Sequence, residues 1–448
     1  MGELNFLPIL AVIILFATFD IFLYFNLDLL QPVVSFFSVM FFSVLLGVLN
    51  IQRWGLSVGP DTTLIVLGGM FSFAAGAIFI HYCFYDGRLY STYRPHIIGN
   101  NMGVYQIPVW ITVFASLFIL QLAYFSATEM YAMSLTLGNH DGVLNMIKTL
   151  RYPLERGEIH FSRWINYREL ISMVFATSFL YFFINNLIVR KKILKVDFIL
   201  LLPVISEFPF FIMSTGRRSI VHFVICGLIL AGILYQRKYG VTHYVRTKIL
   251  KLLGVTALFS LVFYFVLGFF TGKVSIGGRS PLTIISHYGG LSIPALEQYV
   301  SAVHVENQYF LQNTMMGLYG NLNSIGFHLE EGQPFLPFVN FQGNEHINTN
   351  VYTVFYRLLA DYSFPGLIII MFLFGMLLTF TYDYLKHHDT PCILIIYSFF
   401  GYIPFFLFID DQFMGIFRSR TIYFCIFLSV FVKALRHLYF FRKSGNSQ

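Results

Sequence analysis

Two adjacent arginines, Arg217 and Arg218, stand in the stretch IMSTGRRSIVHF with no acidic residue nearer than Glu207. A guanidinium presents a planar fork of N–H donors that matches the oxygens of a phosphate two at a time. The pair also precedes an apolar run of helical character, and free backbone N–H groups at a helix start favour an anion. His222, four residues past Arg218, shares that helix face, either as a packed core ring or as part of a site. A second concentration is TGKVSIGGRSPLTIISHYGGLSIPALEQY, residues 271–299, where Arg279 is followed by His287 and Tyr288 between two glycine pairs. Glycines let backbone approach a ligand closely. The third is NEHINTNVYTVFYRLLADYSFPGLI, residues 344–368. Its Asn348, Asn350 and Thr353 suit hydrogen bonding to hydroxyl-rich ligands, and Arg357 and Asp361, four apart, share a helix face. That couple is either a simple ion pair or an oriented cation with its supporting carboxylate. A carboxylate among apolar neighbours is a candidate base. Glu207, between Pro203 and Pro209, fits that description, as do Asp410 and Asp411 in FIDDQFMGIFRSR, unless these acids only neutralise nearby arginines.

The elements that must position these groups are apolar. Charged residues are 11% of the 448, hydrophobic ones 57%, and the mean hydropathy is +0.69. A soluble domain carries about 25% charged residues, so a water-soluble fold is excluded. Crossing about 30 Å of hydrocarbon takes about 20 apolar residues. Eleven runs of that kind fall near 5–25, 31–50, 63–84, 107–127, 168–189, 197–213, 219–236, 250–271, 363–384, 391–409 and 415–435. Backbone polar groups in lipid must be satisfied within each span, so these are helices. The expected fold class is an all-α, polytopic transmembrane helical protein of eleven or twelve spans, forming a single integral membrane domain over residues 1–448. Cys83, Cys226, Cys392 and Cys425 all lie in spans without C-x-x-C spacing, so neither a disulfide framework nor a metal site is expected. The start, MGELNFLPIL, lacks a basic region and runs into a full-length span, which reads as an uncleaved first helix. Membrane lipid is an expected partner; nucleic acid and a cofactor are not.

Lysine and arginine sort to opposite sides. Lys191, Lys192, Lys195, Lys238, Lys248, Lys251, Lys386, Lys433 and Lys443 share one side, which the positive-inside rule makes the cytoplasm. Arg151, Arg156, Arg163, Arg168, Arg217, Arg218, Arg279, Arg357, Arg418 and Arg420 fall on the other, with Arg53 expected to join them. Some of these snorkel to headgroups. Ionisable groups at membrane depth otherwise call for a function. The two long segments, 128–167 and 272–362, lie on this outer side, and the second, at about ninety residues, far exceeds an ordinary connection. Within it, IPALEQYVSAVH and QYFLQNTMMGLYGNL have the periodicity of helices lying along or dipping into the membrane surface.

STGRRS between two mid-chain spans, GGRSP…SHYGGLSIPALEQY opening the large outer segment, and TNVYTVFYRLLADYSFPGLI closing it resemble the bacterial oligosaccharide repeat-unit polymerases, the Wzy-type O-antigen or capsule polymerases. The resemblance covers the span pattern along nearly the whole chain and the motifs over residues 210–380. It implies a GT-C-like glycosyltransferase without a nucleotide-sugar site, in the bacterial inner membrane, with its active site on the periplasmic side. The implied substrate is an undecaprenyl-pyrophosphate-linked oligosaccharide, and the implied partner a polysaccharide chain-length regulator. By the same resemblance Arg217, Arg218 and Arg279 grip pyrophosphate, with Arg357 as a fourth. Tyr288, Asn348, Asn350 and Thr353 are then candidates to meet glycan. His287, Glu207 and Asp361 compete as the base. No D-x-D stretch for a metal–nucleotide pair is present, which agrees with a lipid-linked donor. A lipid-linked oligosaccharide flippase, an O-antigen ligase and a membrane acyltransferase are the competing classes.

Overall fold

The structure, a computed structural model, describes residues 4–86, 102–139, 142–155, 158–190, 194–214, 218–270, 281–302, 311–330, 332, 336–344, 346–438 and 441–443. In chain order its helices are α1 (Leu7–Tyr24), α2 (Pro32–Val48), α3 (Ile51–Trp54), α4 (Pro60–His81), α5 (Val109–Thr136), α6 (Val143–Glu155) and α7 (Arg163–Val189). Three short pieces follow, α8 (Lys195–Ile199), α9 (Leu202–Ser206) and α10 (Phe208–Met213), then α11 (Arg218–Tyr239) and α12 (His243–Phe270). The last are α13 (Pro281–Gly290), α14 (Ser292–Ser301), α15 (Met316–Ser324), α16 (Val354–His387), α17 (Pro391–Phe400), α18 (Ile403–Phe406) and α19 (Ser419–His437). Strand β1 (Gly103–Tyr105) pairs antiparallel with β4 (Phe441–Lys443), and β2 (Val339–Gln342) with β3 (His346–Thr349).

Helices stand at all eleven expected spans. Among the described residues seven are long and apolar enough to cross a membrane, so the chain is a predominantly α-helical, multi-pass membrane protein. α2 and the α17–α18 pair are apolar but shorter. Proline explains where several begin: α1, α2, α4 and α17 carry it in the first turn, where its missing N–H costs no bond. Proline also accompanies two interruptions, one inside an expected span and one at the start of another. Pro203 and Pro209 divide residues 195–213 into α8, α9 and α10, because each ring removes a ladder donor and clashes one turn back. In α16 the chain leaves helical geometry at Ser363 (φ 57°, ψ −178°), two residues before Pro365. The expected ninth span therefore begins at that break, and a separate helical stretch from Val354 leads into it. The segment 272–362 holds α13, α14, α15 and the β2–β3 hairpin, and α5 and α6 enter the segment 128–167.

The chain forms two compact units. The first comprises Met1–Arg94, Arg279–Tyr384 and Ile403–Thr421. Its helices cross at backbone contact. A Cβ on Gly76 of α4 would sit 2.0 Å from the Phe372 carbonyl oxygen, and one on Gly375 of α16 would sit 2.0 Å from that of Phe73. Beside them the Ser72 hydroxyl donates to the Ile368 carbonyl (2.6 Å). Gly47 of α2 and Gly290 of α13 meet similarly, each Cβ position lying about 3 Å from the other's backbone. Small residues permit such approach in lipid, where association rests on packing and hydrogen bonds rather than on hydrophobicity.

The second unit comprises Pro95–Gly278, Leu385–Tyr402 and Ile422–Gln448. One cluster of its core joins Ala123 and Met130 of α5, Met146, Ile147 and Leu150 of α6, Ile165 of α7, and Phe210 and Met213 of α10. Asn186 of α7 holds β1 at both backbone groups, donating to the Tyr105 carbonyl and accepting from its N–H (2.8 Å each). Asn185 donates to the Gly103 carbonyl (2.8 Å).

Gly76→Ala is expected to destabilise the protein by about 1–3 kcal/mol or more, because a backbone oxygen cannot swing aside as a side chain would. Gly254→Ala in α12, where nothing lies within 4 Å of the added carbon, should be neutral or slightly stabilising. Melting of the detergent-solubilised variants checks this, and equal melting temperatures would refute the backbone crossing.

Candidate functional site

The site is built on the first two turns of α16, just before its break. Arg357 is 3% exposed. Its Nε donates to Asp410 Oδ1 at 2.8 Å and its Nη2 to Asp410 Oδ2 at 3.4 Å, a fork on a carboxylate. Its Nη1 donates to the Asn313 carbonyl at 3.2 Å. One turn further along, Asp361 accepts from the backbone N–H of the same Asn313 (3.1 Å to each oxygen) and from its Nδ2 (2.9 Å). Asp361 also accepts from the Thr314 N–H and hydroxyl, both at 2.7 Å. A cation and an anion four residues apart thus hold the 313–314 turn, the cation at a carbonyl and the anion at successive N–H groups. This turn leads directly into α15.

The segment after α18 supplies the counter-charge. Besides Arg357, Asp410 Oδ1 accepts the Asp411 N–H (2.8 Å). Asp411 is buried, and its Oδ1 accepts the N–H groups of Phe413 (2.9 Å) and Met414 (3.0 Å), capping the helical turn at Met414–Ile416. Its Oδ2 is buried and has no hydrogen-bond partner among the described residues. Burial pushes this carboxyl up to about 7, with the neighbouring Asp410 charge adding to the rise and the two capping N–H groups opposing it. The Val354 N–H donates to the Leu407 carbonyl (2.8 Å), tying the start of α16 to the same segment.

The same unit holds α13, α14 and the hairpin. His287 of α13 donates from Nε2 to the Asn348 carbonyl (2.6 Å). A carbonyl only accepts, so in the neutral ring Nδ1 carries the lone pair. Tyr288 stands beside it, ring centroids 5.6 Å apart, and is 39% exposed. Gln298 of α14 donates to the Asn340 carbonyl (3.2 Å), and Glu297 accepts the Gly59 N–H (2.7 Å) at the start of α4. Tyr299, Tyr356 and Tyr352 pack in succession as tilted rings, at 4.3 and 4.5 Å between centroids. The hairpin turn seats on α3: a Cβ on Gly343 would meet the Gly55 nitrogen at 2.3 Å, and Gly55 itself has φ +64°.

The first unit thus brings together Arg357, Asp361 and Asp410, with His287, Tyr288 and Asn348 on its α13–hairpin side. Asn348 is exposed, Asn350 half-buried and Thr353 fully buried, so the three expected hydroxyl-binding residues occupy unlike environments. Glu207 belongs to the second unit, at the α9–α10 junction, fully buried and hydrogen-bonded to the Ser172 hydroxyl. His222 is also there, stacked on Tyr402 (3.5 Å between centroids, 6° between planes), which is the packed-ring reading of that residue. Arg217 and Arg279 lie outside the described residues. Arg218 opens α11, and its side chain lies outside them too. Sequence reading missed Asn313 and Thr314. An Asn-Thr pair just ahead of a short helix is a local signal for capping, but nothing local points to Asp361 as its partner. Among the described residues no three His, Cys, Asp or Glu side chains gather to hold a metal ion. The chain matches no protein-family model, no curated protein and no solved structure.

Because folding raises the Asp411 pKa from 3.8 to about 7, the folded state favours its neutral form. The stability this contributes is full below about pH 4 and is lost as pH rises through about 7. Melting temperature is expected to fall across that window, with a slope from this group of up to about 1.4 kcal/mol per pH unit. Asp411→Asn should flatten the profile; the same slope in both proteins would exclude Asp411 as its source.

Proposed function

We propose that the protein is a membrane glycosyltransferase that polymerises undecaprenyl-pyrophosphate-linked oligosaccharide repeat units into O-antigen or capsular polysaccharide at the periplasmic face of a bacterial inner membrane. The observation that carries this reading is the fork of the buried Arg357 on Asp410, with Asp361 one turn away, at a helix break in the DYSFPG stretch and joined to elements of the long 272–362 segment. Ionisable groups set into the mouth of a span are costly and are kept where they serve a substrate. The stretch that most resembles the repeat-unit polymerases is also the one that bears the break.

In this reaction the bond between the anomeric carbon of the growing chain and its pyrophosphate oxygen breaks. A bond forms from that carbon to a hydroxyl of the incoming lipid-linked unit, and the hydroxyl proton passes to a base. Charge accumulates on the departing diphosphate, and preorganised guanidinium groups in a water-poor site stabilise it. Arg217, Arg218 and Arg279 take that role. The fork of Arg357 is held by Asp410, so a phosphate reaches it only by displacing that carboxylate; Arg357 otherwise supports the site. Among the three candidate bases, Asp361 spends its carboxylate on Asn313 and Thr314, and Glu207 is fully buried. His287 is half-buried and, with Nε2 donating, has its basic nitrogen at Nδ1. We assign the base to His287.

Purified protein given undecaprenyl-pyrophosphate repeat units should produce ladders of lipid-linked glycan. Transfer of glycan onto lipid A core would indicate a ligase, and no new glycosidic bond a flippase. Arg279→Ala is expected to abolish the ladders while leaving membrane insertion intact; normal long-chain product from that variant would remove Arg279 from the site.

A further inference from the structure

The β2–β3 hairpin has two unlike faces. Phe341, Ile347 and Thr349 are buried on one. The other presents Asn340 directly across from Asn348 and Gln342 directly across from His346, all four exposed. Residues two apart on a strand and opposite across a ladder share a face, so three amides and an imidazole form one continuous patch. Among the described residues none of these four side chains is hydrogen-bonded within the protein. Neither strand holds an acidic residue, lysine or arginine. Short open sheets ordinarily carry charges along their edges to prevent pairing with other chains, and their lack here calls for another reason.

Two contacts bear on what the face receives. The backbone carbonyls of the paired Asn340 and Asn348 are taken by Gln298 and His287. A strand adding to the hairpin would compete with these side chains for the same carbonyls, which disfavours an extended peptide as occupant. The ligand that remains is one read by side chains alone. An amide offers a donor and an acceptor side by side, which matches adjacent hydroxyls on a sugar ring, and an uncharged patch discriminates against anionic residues. Tyr288, on the His287 side, and Phe338, just ahead of β2 and 66% exposed, add aromatic surface, suited to the apolar face of a pyranose.

We propose that the exposed face of Asn340, Gln342, His346 and Asn348 is a subsite for uncharged pyranose units of a glycan. It rests on the polymerase reading for its role: a sugar held there lies beside His287, the group assigned to take the acceptor proton.

The full-length protein in lipid nanodiscs is applied to an array of uncharged hexose and N-acetylhexosamine oligosaccharides and of uronate-containing ones. The wild type should retain members of the uncharged set. Asn340→Ala with Gln342→Ala should weaken that binding about tenfold or more at unchanged melting temperature, since both side chains are exposed. Asn340→Lys, which obstructs the face without emptying it, should do the same. Binding of the anionic set alone, of no glycan, or equally by wild type and both variants overturns the subsite. Ladders made at the wild-type rate by the double variant also overturn it while the polymerase reading stands. Loss of glycan binding in the variants from a protein that makes no ladder would instead sustain the subsite and reject the polymerase.

Discussion

A guanidinium that is 97% removed from solvent must meet its anion within the protein, and the first unit is arranged around that requirement at Arg357. Leaving such a charge unpaired costs several kcal/mol, more than most single contacts return. The fork on Asp410 supplies the anion, and the Asn313 carbonyl takes part of the remaining donor capacity. Three stretches far apart in sequence, around residues 313, 357 and 410, are fixed to one another by this pairing. Asp361 adds the opposite charge one turn away and anchors the turn leading to α15. Removing Asp410 would take this carboxylate away from the buried Arg357, so the three stretches depend on that pair together.

The break at Ser363 is what allows that cluster to exist at the end of a long apolar helix. A continuous helix would carry Arg357 and Asp361 on the axis of the span itself. A left-handed residue and a following proline separate the polar stretch 354–362 from the apolar one that follows. Non-helical backbone in a membrane protein is tolerated where protein covers it or a cavity receives it. Below the break, the Gly76–Gly375 contact presses α4 and α16 together at backbone distance, giving the polar end a rigid base. A position that must be held to fractions of an ångström is better set on such a crossing than on a loop.

The chemistry and the recognition that we assign to the protein separate along the same unit. Charge is concentrated near α16 and the Asp410–Asp411 segment, whereas the hairpin face carries amides and a ring nitrogen. His287 adjoins the second region, with its Nε2 on the hairpin backbone. A transferase acting between two glycans on lipid carriers needs both kinds of surface, one for the charge that develops and one for neutral hydroxyls. Asp411 introduces a further constraint, because a buried carboxyl capping a helical turn beside the Arg357–Asp410 pair couples the segment's stability to its protonation.

Composition and apolar runs alone determined the class of molecule and where its apolar helices fall, because lipid forces each crossing segment to satisfy its own backbone, and the residues that do so are contiguous. Pro203 and Pro209 stand out in the sequence only as neighbours of Glu207; that they divide a span, and that a break falls just ahead of Pro365, is decided in the folded chain. Arg357 and Asp361 could be picked out as ionisable groups at a span mouth, yet their spacing suggested only each other as partners. Their bonds to Asp410, Asn313 and Thr314 depend on stretches roughly fifty residues away being brought alongside, and no local period encodes such a meeting. The hairpin shows the same limit: VNFQ and HINT each alternate legibly, but that their amides lie opposite one another on a single face is set by strand register. Register is a property of two segments at once, so only the folded chain decides it.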